Sequence, residues 1–273
     1  MSTKVRPVRF QASLLEELEQ RLAATGEDLS QFVNVLVDRE LHGDERHLRA
    51  VPDPIDAGAL KDCAVAFRHA LLARDARQAR ALVEDLVHRG AAVIDVYESV
   101  LADALREIGE LWCLDEISVA QEHFATAVTA DLLATLAPDR RLAPTSGRLA
   151  IVGGSPDELH ALGARMVGDV LERAGWEVLA LGAATPADAL VDLVDEERPD
   201  LVALSTATVG RLPGVEQVLG RLAALDPRPV IAVGGALYTG PVVELARGWG
   251  ADVIVTGLQA LLPELQRRFG PEG

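Results

Sequence analysis

Two histidines in this chain stand close to carboxylates, at positions where an imidazole can act as a metal ligand. The first lies in Gly153-Gly154-Ser155-Pro156-Asp157-Glu158-Leu159-His160-Ala161-Leu162-Gly163, directly after the apolar run Leu149–Val152. A neutral imidazole donates one ring nitrogen to a metal, and a carboxylate two residues away can accept the N–H of the other, fixing the tautomer. Taken alone, a single His in such a loop is usually a surface residue. The second is Glu122-His123, which follows Trp112 after nine intervening residues. Its plainest reading is a Trp closing one helix and a solvated pair opening the next. Two further clusters follow apolar runs, Ser205-Thr206-Ala207 and Gly234-Gly235. A hydroxyl and paired glycines suit close approach of a ligand to backbone.

The elements that must position these residues fall into three pieces. Residues 43–56 and 138–147, rich in Pro, Gly and charge, read as linkers. Beyond the second linker, apolar runs at Leu149–Val152, Val178–Leu181, Leu201–Leu204, Val230–Val233 and Val253–Val255 alternate with helical patterns at Leu162–Ala174, Ala187–Glu196, Val215–Leu225 and Val242–Gly248. Continuous apolar strands separated by helices predict a parallel sheet covered on both faces. Five such units over residues 148–270 predict a flavodoxin-like, doubly wound domain, with ligands bound beyond the carboxyl ends of its strands. Residues 57–137 read as four helices with short connections, an antiparallel bundle. The expected class is therefore a four-helix bundle followed by a doubly wound α/β domain, preceded by a small strand-helix-helix module in residues 1–42.

The spacing Glu158-x-His160-x-x-Gly163 resembles the acidic-x-His-x-x-Gly signature of B12-binding domains. Ser205-Thr206 and Gly234-Gly235, each at the end of an expected strand, resemble that family's Ser-containing and Gly-Gly elements. The resemblance implies that His160 is the lower axial ligand of cobalt, displacing the cofactor's own dimethylbenzimidazole. The nucleotide tail would then lie in a cleft of the sheet bordered by Gly163, Ser205, Thr206, Gly234 and Gly235. The family often has Asp where Glu158 stands. Trp112 with Glu122-His123 looks like the signature of the CarH/LitR-type photoreceptors, whose bundle caps the upper face of adenosylcobalamin. That likeness spans residues 57–270. It implies that Trp112 packs on the adenosyl group and that Glu122 and His123 help hold it. Several of these photoreceptors carry a His immediately after the Trp, whereas this chain has Cys113. His123, water or the Cys113 thiolate then stand as alternatives for the upper cobalt position after photolysis. A second tetrapyrrole at the bundle–sheet interface also stays open, since such a pocket needs no fixed motif.

Residues 4–42 resemble a ribbon-helix-helix module in place of the MerR-type domain usual in that family. A strand over Val5–Gln11 precedes a helix opened by the capping box Ser13…Glu16, and a second helix begins near Leu29. In that frame Arg9 would read bases, and Lys4 and Arg6 would meet phosphates. Residues 1–50 carry seven Lys or Arg against nine Asp or Glu, which is no basic footprint. A dimerisation arm without DNA binding is the alternative.

Composition narrows the remaining classes. The 273 residues are 49% apolar, enough for real cores, and carry a net charge of −16, so any DNA contact must be local. Two cysteines form no disulfide framework and no zinc site. With no membrane span and no apolar leader expected, a cytoplasmic protein fits best. The leading expectation is a non-enzymatic, light-responsive adenosylcobalamin regulator, a dimer or tetramer acting on DNA or on a partner regulator. A corrinoid methyl carrier of a methyltransferase system, or a light-independent B12 sensor, is the alternative.

Overall fold

The protein was analysed as a computed structural model, which describes residues 55–136, 143 and 145–270. Lys4, Arg6 and Arg9, and with them the expected ribbon-helix-helix, lie outside the described residues.

Helices α1 (Ala57–Leu72) and α2 (Ala76–His88) each start on an aspartate. Asp56 accepts the Ala59 N–H at 2.8 Å and Asp75 accepts the Gln78 N–H at 2.9 Å, satisfying otherwise orphaned amide donors. The third helix of the bundle is continuous but not uniform. It runs as α3 (Val93–Val96), a π-helical stretch (Tyr97–Ala102) and α4 (Asp103–Cys113). Periodicity alone predicts a plain α-helix here, because one extra residue in a turn leaves the apolar spacing nearly intact. Helix α5 (Val119–Leu136) completes the bundle. Phe67, Leu71, Val83, Tyr97, Leu101, Ile108 and Leu132 fill its interior without exposure to solvent.

Five parallel strands follow: β1 (Leu149–Gly154), β2 (Glu177–Gly182), β3 (Leu201–Ser205), β4 (Val230–Gly234) and β5 (Val253–Val255), in the spatial order β2-β1-β3-β4-β5. This is the doubly wound order expected from the sequence. The covering helices are α6 (Ala161–Arg173), α7 (Ala187–Glu197), α8 (Leu212–Ala223), α9 (Pro241–Gly248) and α10 (Leu261–Phe269). Helix α8 starts three residues earlier than its apolar pattern indicates, because Pro213 fits a first turn, where no amide donor is required. Helices α6 and α10 share one face of the sheet with Ala150, Val152, Ala203, Ala232 and Val253. The opposite face packs Ile151, Val202, Leu204, Ile231 and Val233 against residues of α7 and α8.

The bundle is seated on α6. Met166 and Val170 belong to the bundle's own core, and Tyr97 in the π-helical stretch donates to Asp169 Oδ2 at 2.9 Å. Arg173 also donates to Asp169 Oδ2, at 2.6 Å, and to the Leu136 carbonyl at 3.0 Å, while Arg165 reaches the Ala130 carbonyl at 3.1 Å. A second seat lies after β5, where Glu98 accepts the Gln259 N–H at 2.8 Å and Asp95 accepts from its side-chain amide at 2.9 Å.

Candidate functional site

Pairing in the sheet brings the ends of four strands into one row. Gly154 is in register with Ser205, Ser205 with Gly234, and Gly234 with Val255. Side chains alternate along a strand, so the whole row faces α6 and α10. Two glycines and a serine at the carboxyl end of this face keep side-chain volume low where a doubly wound fold binds ligands.

From β1 the chain turns through Ser155-Pro156-Asp157 into Glu158, which is 1% exposed. Both carboxylate oxygens of Glu158 are occupied. Oε2 accepts the backbone N–H groups of Ala207 and Thr208 at 2.9 and 3.1 Å. Oε1 accepts the His160 N–H at 3.1 Å and lies 2.5 Å from His160 Nδ1. Burial alone would raise the Glu158 pKa. The His160 ring and the His160 and Ala207 amides outweigh it, and the carboxyl titrates below its ordinary range. His160 is the N-cap residue of α6, and its ring projects outward with the side chain 64% exposed. With Nδ1 held on the carboxylate, a neutral ring carries its lone pair on Nε2, facing solvent.

The small residues around this loop have distinct duties. A Cβ on Gly163 would come within 2.6 Å of Ser205 Oγ, so the first turn of α6 lies directly on that hydroxyl. Gly235 has φ +134°, and a Cβ there would meet the Thr206 carbonyl at 2.2 Å. Thr206 is fully buried, its N–H donating to the Gly234 carbonyl at 2.9 Å and its hydroxyl hydrogen-bonded to that of Tyr238 at 3.0 Å.

The bundle residues stand at the same end of the molecule. Arg165 opposite Ala130 and Arg173 opposite Leu136 make α5 and α6 run in the same direction. The first turn of α5, which carries Glu122 and His123, therefore lies toward the same end as the N-terminus of α6. There His123 repeats the arrangement of His160, with Nδ1 2.5 Å from Glu122 Oε2, while Thr126 donates to Glu122 Oε1 at 2.8 Å. Trp112, at the C-terminal end of α4, is 45% exposed, and Cys113 beside it is exposed.

The donor set and its surroundings fit a cobalt corrinoid. An imidazole with a fixed tautomer presents its free nitrogen outward. Leu159 and Val209 are exposed on the loops after β1 and β3, as are Trp112, Leu114 and Val119 on the bundle, an apolar set suited to a large planar macrocycle. Ser155 Oγ is buried at the strand end with no hydrogen-bond partner among the described residues. Among the described residues no cluster of three or more His, Cys, Asp or Glu suited to holding a metal ion occurs. Sequence reasoning missed Ser155, Leu159, Val209 and Tyr238. Ser155 and Leu159 lie inside the motif stretch itself, whereas Tyr238 carries no local signal beyond its place three residues after Gly235.

Comparison with known proteins follows the same lines. Residues 148–264 match the family model described as a B12 binding domain, and residues 64–137 match a second model of the same description. The HTH-type transcriptional repressor CarH of Myxococcus xanthus is 30% identical over 187 residues, 66% of this chain and 62% of that protein. The HTH-type transcriptional repressor CarA of the same organism is 36% identical over 139 residues, 50% of this chain and 46% of that protein. The chain thus spans less than two thirds of the length of these relatives. The monomethylamine corrinoid protein of Methanosarcina barkeri superimposes with a TM-score of 0.63 at 18% identity, covering 76% of this chain and 98% of that one, which is a likeness of fold.

Proposed function

The chain belongs to the B12-binding family across its bundle and its sheet, and from that footing we propose that it is an adenosylcobalamin-dependent light-sensing regulator. Bound adenosylcobalamin would supply a cobalt–carbon bond that visible light cleaves. His160 would hold the cobalt from below through Nε2, with Glu158 fixing the ring. Ser205, Thr206 and the glycines Gly163, Gly234 and Gly235 would border the cleft for the nucleotide tail.

The observation that supports the light-sensing reading is the composition of the bundle end that carries Trp112, Glu122 and His123. A half-exposed Trp112 and the linked Glu122–His123 pair offer an aromatic face and a polar grip. A carrier that passes a small group to partner enzymes needs the opposite, an open upper face. The CarH and CarA relatives support a regulatory output, whether through residues 1–42 on DNA or on a partner regulator. The protein's own part is mechanical. Trp112, Glu122 and His123 sense whether the upper group is present, and α5, packed along α6, passes a shift of the bundle to the sheet. His123 and Cys113 are the candidates for the upper position once that group has gone.

Absorption spectra and sedimentation of the adenosylcobalamin-loaded full chain, in the dark and after green light, test this reading. Spectral conversion together with a change of assembly is expected. A spectrum indifferent to light sinks it, and turnover of methylcobalamin with a methyltransferase would favour the carrier. Exchanging His160 for Ala should weaken cobalamin binding and remove the imidazole-ligated spectrum.

A further inference from the structure

Beyond the motif residues, the loop after β4 holds a side chain that bears on His160 without reaching it. Tyr238 is 1% exposed, and its hydroxyl shares a 3.0 Å hydrogen bond with that of Thr206. Thr206 has no solvent exposure, so Tyr238 is the partner that satisfies its side chain. The next two amides, Ala207 N–H and Thr208 N–H, are the donors that hold Glu158 Oε2. Glu158 Oε1 in turn holds His160 Nδ1 and the His160 N–H. Each group therefore faces the next: Tyr238, Thr206, the amides of residues 207 and 208, Glu158, His160. Burial raises the Tyr238 hydroxyl to about 12, with the Thr206 hydrogen bond opposing and the Glu158 charge adding to the rise.

We propose that Tyr238 is a positioning residue for the axial histidine: by tying Thr206 down it sets the amide pair that aims Glu158, and through Glu158 it fixes the tautomer and direction of the His160 ring. Without the phenol, the buried Thr206 hydroxyl has no partner, and such a group turns to whatever acceptor or donor is near. Cutting the hydrogen bond from either end, at the phenol or at the threonine hydroxyl, releases the same anchor on the turn that supplies the two amides. The loop after β4 thus orients the imidazole as well as bordering the cleft. The inference leans on the cobalamin reading only in its binding arm, because tautomer and ring orientation are properties of the chain itself.

Two variants remove the hydrogen bond from opposite ends while keeping shape, Tyr238→Phe and Thr206→Val. The first measurement is the ring-nitrogen spectrum of His160 in the apo full-length protein by two-bond proton–nitrogen NMR, assigned with His160→Gln. The native protein should show His160 as the Nδ1–H tautomer, and both variants should shift it toward a mixture with Nε2–H. Retention of the native tautomer in both variants overturns the proposal, as does a shift in only one of them. The second measurement is hydroxocobalamin affinity, expected to weaken about three- to tenfold in each variant and no further in the double variant. Losses that simply add in the double variant also overturn it. If the native chain fails to take up hydroxocobalamin, the cobalamin reading falls, while the tautomer spectra still decide the role of Tyr238.

Discussion

Glu158 is buried like a core residue, yet its carboxyl titrates below its ordinary range because its hydrogen-bond donors outweigh the cost of desolvation. That balance makes it the residue on which the histidine's geometry depends. Exchanging Glu158 for Gln keeps the size but turns one acceptor oxygen into an NH2 that faces amide donors or an imidazole N–H. Carboxylates that orient a ligating histidine typically contribute about 10–100-fold to metal affinity. Hydroxocobalamin titration should show a loss in that range, and a change below twofold would contradict the assigned role. The two cysteines offer an independent check at the same scale. Cys63 is buried, and desolvation together with the nearby Asp85 charge raises its thiol from 9.0 to about 11, with Arg89 opposing. A thiol shifted upward by folding stabilises fully below its unfolded value, and that contribution fades as pH climbs from 9 toward 11. At pH 8, iodoacetamide should therefore modify Cys113 alone in the folded chain, with Cys63 reacting only after unfolding.

Among the elements, the sheet was the most legible part of the sequence. Its five apolar runs are continuous, the central strands β1, β3 and β4 being covered on both faces, and Gly, Pro or charged residues bound them. The motif loop was legible for a similar reason, since everything from Gly153 to Gly163 lies within eleven consecutive residues. Contacts between distant segments were not. Tyr97 meets Asp169 across 72 residues, and no periodicity marks a tyrosine that will find an aspartate. The π-helical turn was equally hidden, although such turns gather at functional places in helices. Here it carries Tyr97 to α6 and Glu98 to the loop after β5, so one irregular stretch contributes to both seats of the bundle. Exchanging Tyr97 for Phe removes a hydrogen bond to a buried carboxylate while leaving the ring in the core. Urea denaturation should show a loss of about 1.5–3 kcal/mol. A loss below about 0.5 kcal/mol would mean that the tyrosine hydroxyl contributes little to the seat.

For the whole molecule, the proposed function requires that an event at the cobalt become a change in assembly. No helix among the described residues is long and apolar enough to cross a membrane. A net charge of −16 opposes close association of copies, so any oligomer must rest on shaped contact surfaces rather than on general attraction. Such an assembly is sensitive, because a tenfold change in its equilibrium requires only about 1.4 kcal/mol. In the proposed arrangement photochemistry belongs to the cofactor, whereas the mechanical response belongs to Trp112 and the helices behind it. The two are separable by Trp112→Ala. The variant should still take up adenosylcobalamin through His160, and its absorption should still change under green light. Its sedimentation should differ less between dark and light than that of the native protein, since the side chain that registers the upper group has been cut back. Were the variant to change assembly on illumination as fully as the native chain, the signal would have to leave the cobalt by another route. The seats at Asp169 and Gln259 would then be the places to look for it.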